Sequence, residues 1–182
     1  MKNDEWYAST LFLFACIMVL LYGMFSIMPA KSDIYSEQNL LNPMEAAELY
    51  GMAHSLSGLP IPEKHPTINS VPKAKLQAIM CPPTHKDCSV SAGYLRGVVY
   101  IDDALPVTSA ATRLIILHEL VHYLQAMRAA SAVLTSGSVE WGEAKTCQER
   151  FDRELQAYAV QKYAADKIGV SFMMPVLPTC PA

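Results

Sequence analysis

The chain has 182 residues, 52% of them hydrophobic, and its 14 Lys+Arg against 17 Asp+Glu leave a formal net charge of −3. With no basic excess to meet a phosphate backbone, the composition argues against nucleic acid as a partner. The sequence has no internal repeat, low-complexity tract or glycine-rich phosphate loop, so its length is accounted for by one domain of ordinary size behind an apolar leader.

Residues 1–31 are that leader. No charged residue occurs from Trp6 to Ala30, and Leu11–Ile27 is almost entirely apolar. About 20 such residues span a bilayer, so the segment reads as an N-terminal transmembrane anchor or a signal. Met28 stands where a cleavage site wants a small residue, which favours an uncleaved anchor with Cys16 inside the membrane. Residues 32–41 read as a polar linker, and residues 42–182 as the folded domain.

Within that domain, Asn42 followed by Pro43 and Glu45 is a helix start, and Gly58 is a helix stop. The stretch that follows carries Pro60, Pro62, Pro66 and Pro72, with Thr67–Val71 as a short strand between prolines. His54 and His65 lack ligand-like spacing and are expected at the surface or at caps. Gly97–Ile101 is β-branched and aromatic and predicts a strand, with Tyr94–Arg96 as its hairpin partner or a bulged continuation. Asp102 and Asp103 end that strand and turn the chain; Asp102 is also placed to orient a ligand histidine. Thr108 and Ser109 are N-cap candidates for a helix over Ala110–Ala130, which contains no glycine or proline. Leu114, Ile116, Leu117, Leu120, Val121, Leu124 and Met127 cover most of its circumference, so the helix is expected to be buried. The loop Ser131–Glu140, with Trp141, borders the expected cleft, and a second helix runs from about Trp141 to Ile168.

The buried helix carries His118-Glu119-Leu120-Val121-His122. Positions i and i+4 share a helix face, so both imidazoles can reach one metal ion, while Glu119 lies about 100° round the helix, close enough to take a proton from a metal-activated water. Polar side chains in an otherwise apolar helix need partners, and a shared metal satisfies all of them. The bland reading, a hydrogen-bonded core histidine beside a salt-bridged glutamate, leaves the spacing as coincidence.

Catalytic zinc takes three protein ligands and water. HELVH followed some thirty residues later by Glu154-Leu155-Gln156-Ala157-Tyr158 resembles the gluzincin group of HExxH metallopeptidases over roughly Val98–Gly169. The helices His118–Gln125 and Glu154–Gln161 also resemble those of a small family of zincin-like domains. The resemblance implies His118, His122 and Glu154 as zinc ligands and Glu119 as general base. It implies an α+β fold: a minimal zincin-like domain with a small antiparallel or mixed sheet packed on the active-site helix and a second, C-terminal helix. Metzincins are set aside, because no Gly-x-x-His follows His122. Helical geometry independently puts Cys147, Arg150, Phe151, Glu154, Tyr158 and Gln161 on one face of the second helix, with Arg153, Gln156 and Lys162 towards solvent. Glu143 and Glu149 compete with Glu154, but fit better as acids near the helix start. Tyr158, one turn beyond Glu154, is a candidate for a hydrogen bond to a ligand carboxylate or the oxyanion; core packing is its commoner role.

Outside the leader the cysteines number four: Cys81, Cys88, Cys147 and Cys180. An even count in an exported domain reads as two disulfides. Cys81 with Cys88 would close a proline-rich loop, and Cys147 with Cys180 would staple the tail to the second helix. Cys81–Cys88 with His85 also suggests a structural zinc, but lacks a nearby fourth ligand. The positive-inside signal is nearly neutral, so the cysteines place the domain on the periplasmic or extracellular side of a single-pass membrane protein.

These expectations combine into a membrane-anchored zinc metallopeptidase acting on a peptide or protein substrate laid along the Gly97–Ile101 strand as an edge. The alternative is a non-catalytic, zinc-stapled domain that binds a protein partner at the membrane surface.

Overall fold

The computed structural model describes residues 40–83, 88–133, 144–177 and 179–180. The predicted anchor, most of the predicted linker, the loop beyond Val133 and Trp141 lie outside the described residues. Among the described residues no helix is long and apolar enough to cross a membrane.

The elements, in chain order, are α1 (Pro43–Ser57), β1 (Thr67–Val71), α2 (Lys73–Met80), β2 (Ala92–Leu95), β3 (Val98–Asp102), α3 (Ala110–Val133) and α4 (Cys147–Lys167), an α+β arrangement. The start of α1 follows its sequence signals. The Asn42 side chain accepts the Glu45 N–H at 2.9 Å while the Glu45 carboxylate reaches back to Asn42, and Pro43 occupies the first turn. Gly58 closes the helix in the left-handed region at φ 69°, which glycine enters without steric cost. Leu40 and Leu41, at the end of the predicted linker, already join the domain: the Leu40 N–H bonds to Ile68 O and Leu41 is buried.

The sheet is mixed, with strand order β1-β3-β2. β1 runs parallel to β3, Thr67 opposite Val98 and Val71 opposite Asp102, while β2 pairs antiparallel, Tyr94 opposite Val99. Arg96 (φ 48°) and Gly97 (φ 87°) make the two-residue hairpin turn, both in the positive-φ region that matches strand twist. This corrects one expectation. The Val98–Asp102 strand is central rather than an edge, because it is paired on both sides; the edge beside α3 is β2.

Helix α3 is the hub, packed on the sheet, on α1 and on α4. Ser109 caps it by accepting the Thr112 N–H at 3.1 Å. Ile116, Leu117, Leu120, Val121 and Leu124 are essentially sealed from solvent, against Leu49 and Ala53 of α1, Val99 and Ile101 of β3, and Ala157, Ala164 and Ala165 of α4. The alanines let α4 approach α3 closely, which brings their side chains within metal-binding reach. Helix α4 starts later than expected, at Cys147, with Thr146 as its cap accepting the Glu149 N–H at 3.0 Å. Two disulfides, Cys81–Cys88 and Cys147–Cys180, join the expected partners.

Candidate metal centre

The α3–α4 contact brings His118, His122 and Glu154 together as a group that could hold a metal ion. His118 Nε2 lies 3.0 Å from His122 Nε2 and 3.4 Å from Glu154 Oε2, and His122 Nε2 lies 3.3 Å from Glu154 Oε1. A tetrahedral ion with bonds of roughly 2.0–2.1 Å holds its ligands about 3.3–3.4 Å apart. The triangle of donors is therefore the right size for one ion, and two imidazoles with a carboxylate are a donor set that transition metals favour.

Exposure differs across the triangle. The His118 and His122 side chains are 8% and 15% exposed, whereas Glu154 is 35% exposed, so the site opens on the α4 side. Electrostatics binds the three groups together. Burial pushes the Glu154 carboxyl up, but hydrogen bonds and charge from His118 and His122 outweigh it and hold the group well below the carboxylate range. Burial disfavours the His122 cation, yet Glu154 and the charge of Glu119 outweigh burial and raise its pKa. Without metal, the neighbouring carboxylates draw a proton to His122; a metal cation would fill the same electrostatic role.

Glu119 is buried on the same helix beside β2 and close enough to His118, His122 and Glu154 to feel their charge, but it is not one of the three donors. Burial raises its pKa against the pull of His122 and His118, and the Tyr94 backbone N–H bonds its carboxylate. The Asp102 N–H pairs with Ser91 O, and antiparallel alternation then turns Gly93 and Leu95 towards β3 and Ala92 and Tyr94 towards the sheet edge. Tyr94 is itself held edge-on to Tyr123 at 5.9 Å, and the Tyr123 hydroxyl donates to Lys64 O.

The other predicted residues separate cleanly. Tyr158 packs against the His118 ring at 4.3 Å, with Phe172 stacked behind it at 6.4 Å; burial, then the charges of Glu154 and Glu119, push its phenol up. Asp102 does not orient a histidine: its carboxylate pairs with Lys73 Nζ at 3.3 Å and accepts the Ala104 N–H, the turn-forming role. Glu149 accepts the Lys145 N–H and pairs with Arg153, as an acid of the first turn; Glu143 lies outside the described residues. His54 contacts Leu59 O beside the end of α1, and His65 lies edge-on to Tyr50.

Two glutamines had no role assignable from spacing alone: Gln125, which flanks the ligand histidines in sequence, and Gln156. Gln156, expected in solvent, is half-buried between α3 and the end of α1, where it donates to Ser57 O at 3.1 Å. Gln125 is buried and bonds His122 Nδ1 at 2.9 Å. Its sequence signal was its position at i+7 from His118 and i+3 from His122, which continues the ligand stripe of an otherwise apolar helix. Arg150 and Cys147, expected on the inner face, are exposed. Compared with known protein families, curated proteins and solved structures, the chain gives no match.

Proposed function

We propose that the protein is a zinc-dependent hydrolase, a metallopeptidase of minimal zincin-like design, held at a membrane by its N-terminal segment with its domain outside the cytoplasm. The observation that carries this reading is the pairing of a donor triangle sized for one ion with a buried carboxylate, Glu119, one residue from a ligand and not part of the triangle. A purely structural metal has no use for that carboxylate, which weighs against the zinc-stapled binding module.

His118 and His122 would hold the ion through Nε2 and Glu154 through its carboxylate. When bound, zinc supplies Lewis acidity, making water nucleophilic near neutral pH and polarising a carbonyl. Glu119 takes the proton of the attacking water on its carboxylate and returns it to the departing amide nitrogen. The Tyr94 N–H holds that carboxylate in place, and the buried surroundings keep bulk water from competing for the proton. β2 is an edge strand, and its outward main-chain groups other than the Tyr94 N–H would pair an extended peptide, which supports a peptide substrate and asks for no particular side chain. Two disulfides support an oxidising compartment.

The test is cleavage of a mixed peptide library by the purified chain with zinc. Wild type should cleave, and Glu119→Gln should keep its zinc while losing roughly 10²–10⁴-fold in rate. Zinc fully bound with no cleavage by wild type would favour the binding module.

A further inference from the structure

The two histidines are held in different ways. His118 Nδ1 is buried without a hydrogen-bond partner among the described residues, and its ring is positioned by packing on Tyr158. His122 Nδ1 instead lies 2.9 Å from Gln125 Oε1. The Gln125 amide nitrogen donates to Arg153 O at 3.0 Å and to Gln156 Oε1 at 2.9 Å. Gln156 in turn donates from Nε2 to Ser57 O at 3.1 Å.

This chain of bonds has one direction. Backbone carbonyls only accept, so Ser57 O requires the nitrogen of Gln156 to face it and its oxygen to face Gln125. Arg153 O likewise requires the nitrogen of Gln125, which spends both N–H groups on Arg153 and Gln156 and turns its oxygen to His122. An amide oxygen only accepts, so the 2.9 Å bond to Gln125 holds the His122 proton on Nδ1, against the pull of the Glu154 carboxylate 3.3 Å from Nε2. The Nε2 atom of a neutral His122 is then a lone pair aimed at the donor triangle, the form a metal ligand requires.

We propose that Gln125 and Gln156 are positioning residues: a relay anchored on the end of α1 and the backbone of α4 fixes the tautomer and ring orientation of His122 before metal arrives. The proposal rests on the metal-centre reading above. It also explains why the Gln125 amide is buried in the apolar helix α3, since every one of its polar atoms is spent. The relay crosses the α3–α4 seam beside Glu154, so it sets the spacing of the ligand helices together with the state of one ligand.

Two measurements on the full chain test it. In the metal-free protein, at alkaline pH where imidazole is neutral, ¹⁵N–¹H correlations through the ring should show His122 as the Nδ1–H tautomer in wild type and as a mixture in Gln125→Met. In a competition titration with a chromogenic chelator, Gln125→Met should bind zinc about 10–100-fold more weakly. Gln156→Met, which breaks only the far end of the relay, should shift both readouts in the same direction by less. A role limited to packing would lower the stability of Gln125→Met and leave its His122 tautomer as in wild type. Should Gln125→Met fail to fold, wild type and Gln156→Met still decide. An Nε2–H tautomer in wild-type His122, or unchanged zinc affinity in the relay variants, overturns the proposal. Failure of the metal-centre reading shows separately, as a wild-type chain that binds no zinc, because the tautomer is measured without metal.

Discussion

Removing the two disulfides separately should cost different amounts, and the chain itself sets the ratio. Cys147 and Cys180 lie 33 residues apart and Cys81 and Cys88 only 7 apart. In the chain-entropy picture a cross-link stabilises by shrinking the unfolded ensemble, with a constant part and a part that grows with the logarithm of loop length. The longer bridge is then worth about 3.7 kcal/mol and the shorter about 2.4 kcal/mol, a difference of about 1.4 kcal/mol in which the constant cancels. The longer bridge also holds the tail whose Val170 N–H bonds to Ala165 O and whose Phe172 backs Tyr158, so native contacts add to its side of the comparison. The perturbations are Cys147→Ser with Cys180→Ser, and Cys81→Ser with Cys88→Ser. The assay is equilibrium urea unfolding in chelator, which keeps metal out of the balance. Equal losses, or a larger loss for the Cys81–Cys88 bridge, would refute the reasoning.

Two further predictions concern the core. The Tyr50 hydroxyl is buried with no hydrogen-bond partner among the described residues, and burial pushes its pKa up to about 12. A pKa raised on folding means the folded state keeps its proton longer, so this contribution is full below the unfolded value of about 10 and is lost as pH rises towards the folded one. Tyr50→Phe should therefore leave stability near pH 7 unchanged or higher and flatten the alkaline loss, measured by urea midpoints across pH; an unchanged alkaline slope would contradict it. Leu124, fully buried where α3 meets its neighbours, should cost about 2–5 kcal/mol as Leu124→Ala in the same assay, and a loss under 1 kcal/mol would show that the site is not close-packed.

The parts of the fold written in local chemistry were legible in the sequence. The Asn42–Gly58 helix carries its start and stop in side chains that bond their own backbone, and the α3 helix carries its burial in an apolar surface without a break. Helix α2 had no such mark: Pro72 is its cap without a side-chain hydrogen bond, and Leu76 is its one buried residue. The edge strand was misplaced because β3 has the β-branched run, whereas which strand lies outermost depends on the parallel pairing of β1, a long-range contact. At the site, the spacing of His118 and His122 and the inward position of Glu154 were visible from helical periodicity. Gln156 was not, because its partners Gln125 and Ser57 come from two other helices. A polar residue reads as solvent-facing until the element that buries it is known.

Metal content of the purified full chain tests the central claim most directly. After dialysis against trace zinc, wild type should retain one equivalent per chain, and Glu154→Ala should fall well below one, since the triangle loses its carboxylate corner. A wild-type chain that retains no zinc, or a Glu154→Ala chain that retains a full equivalent, would contradict the three-ligand centre.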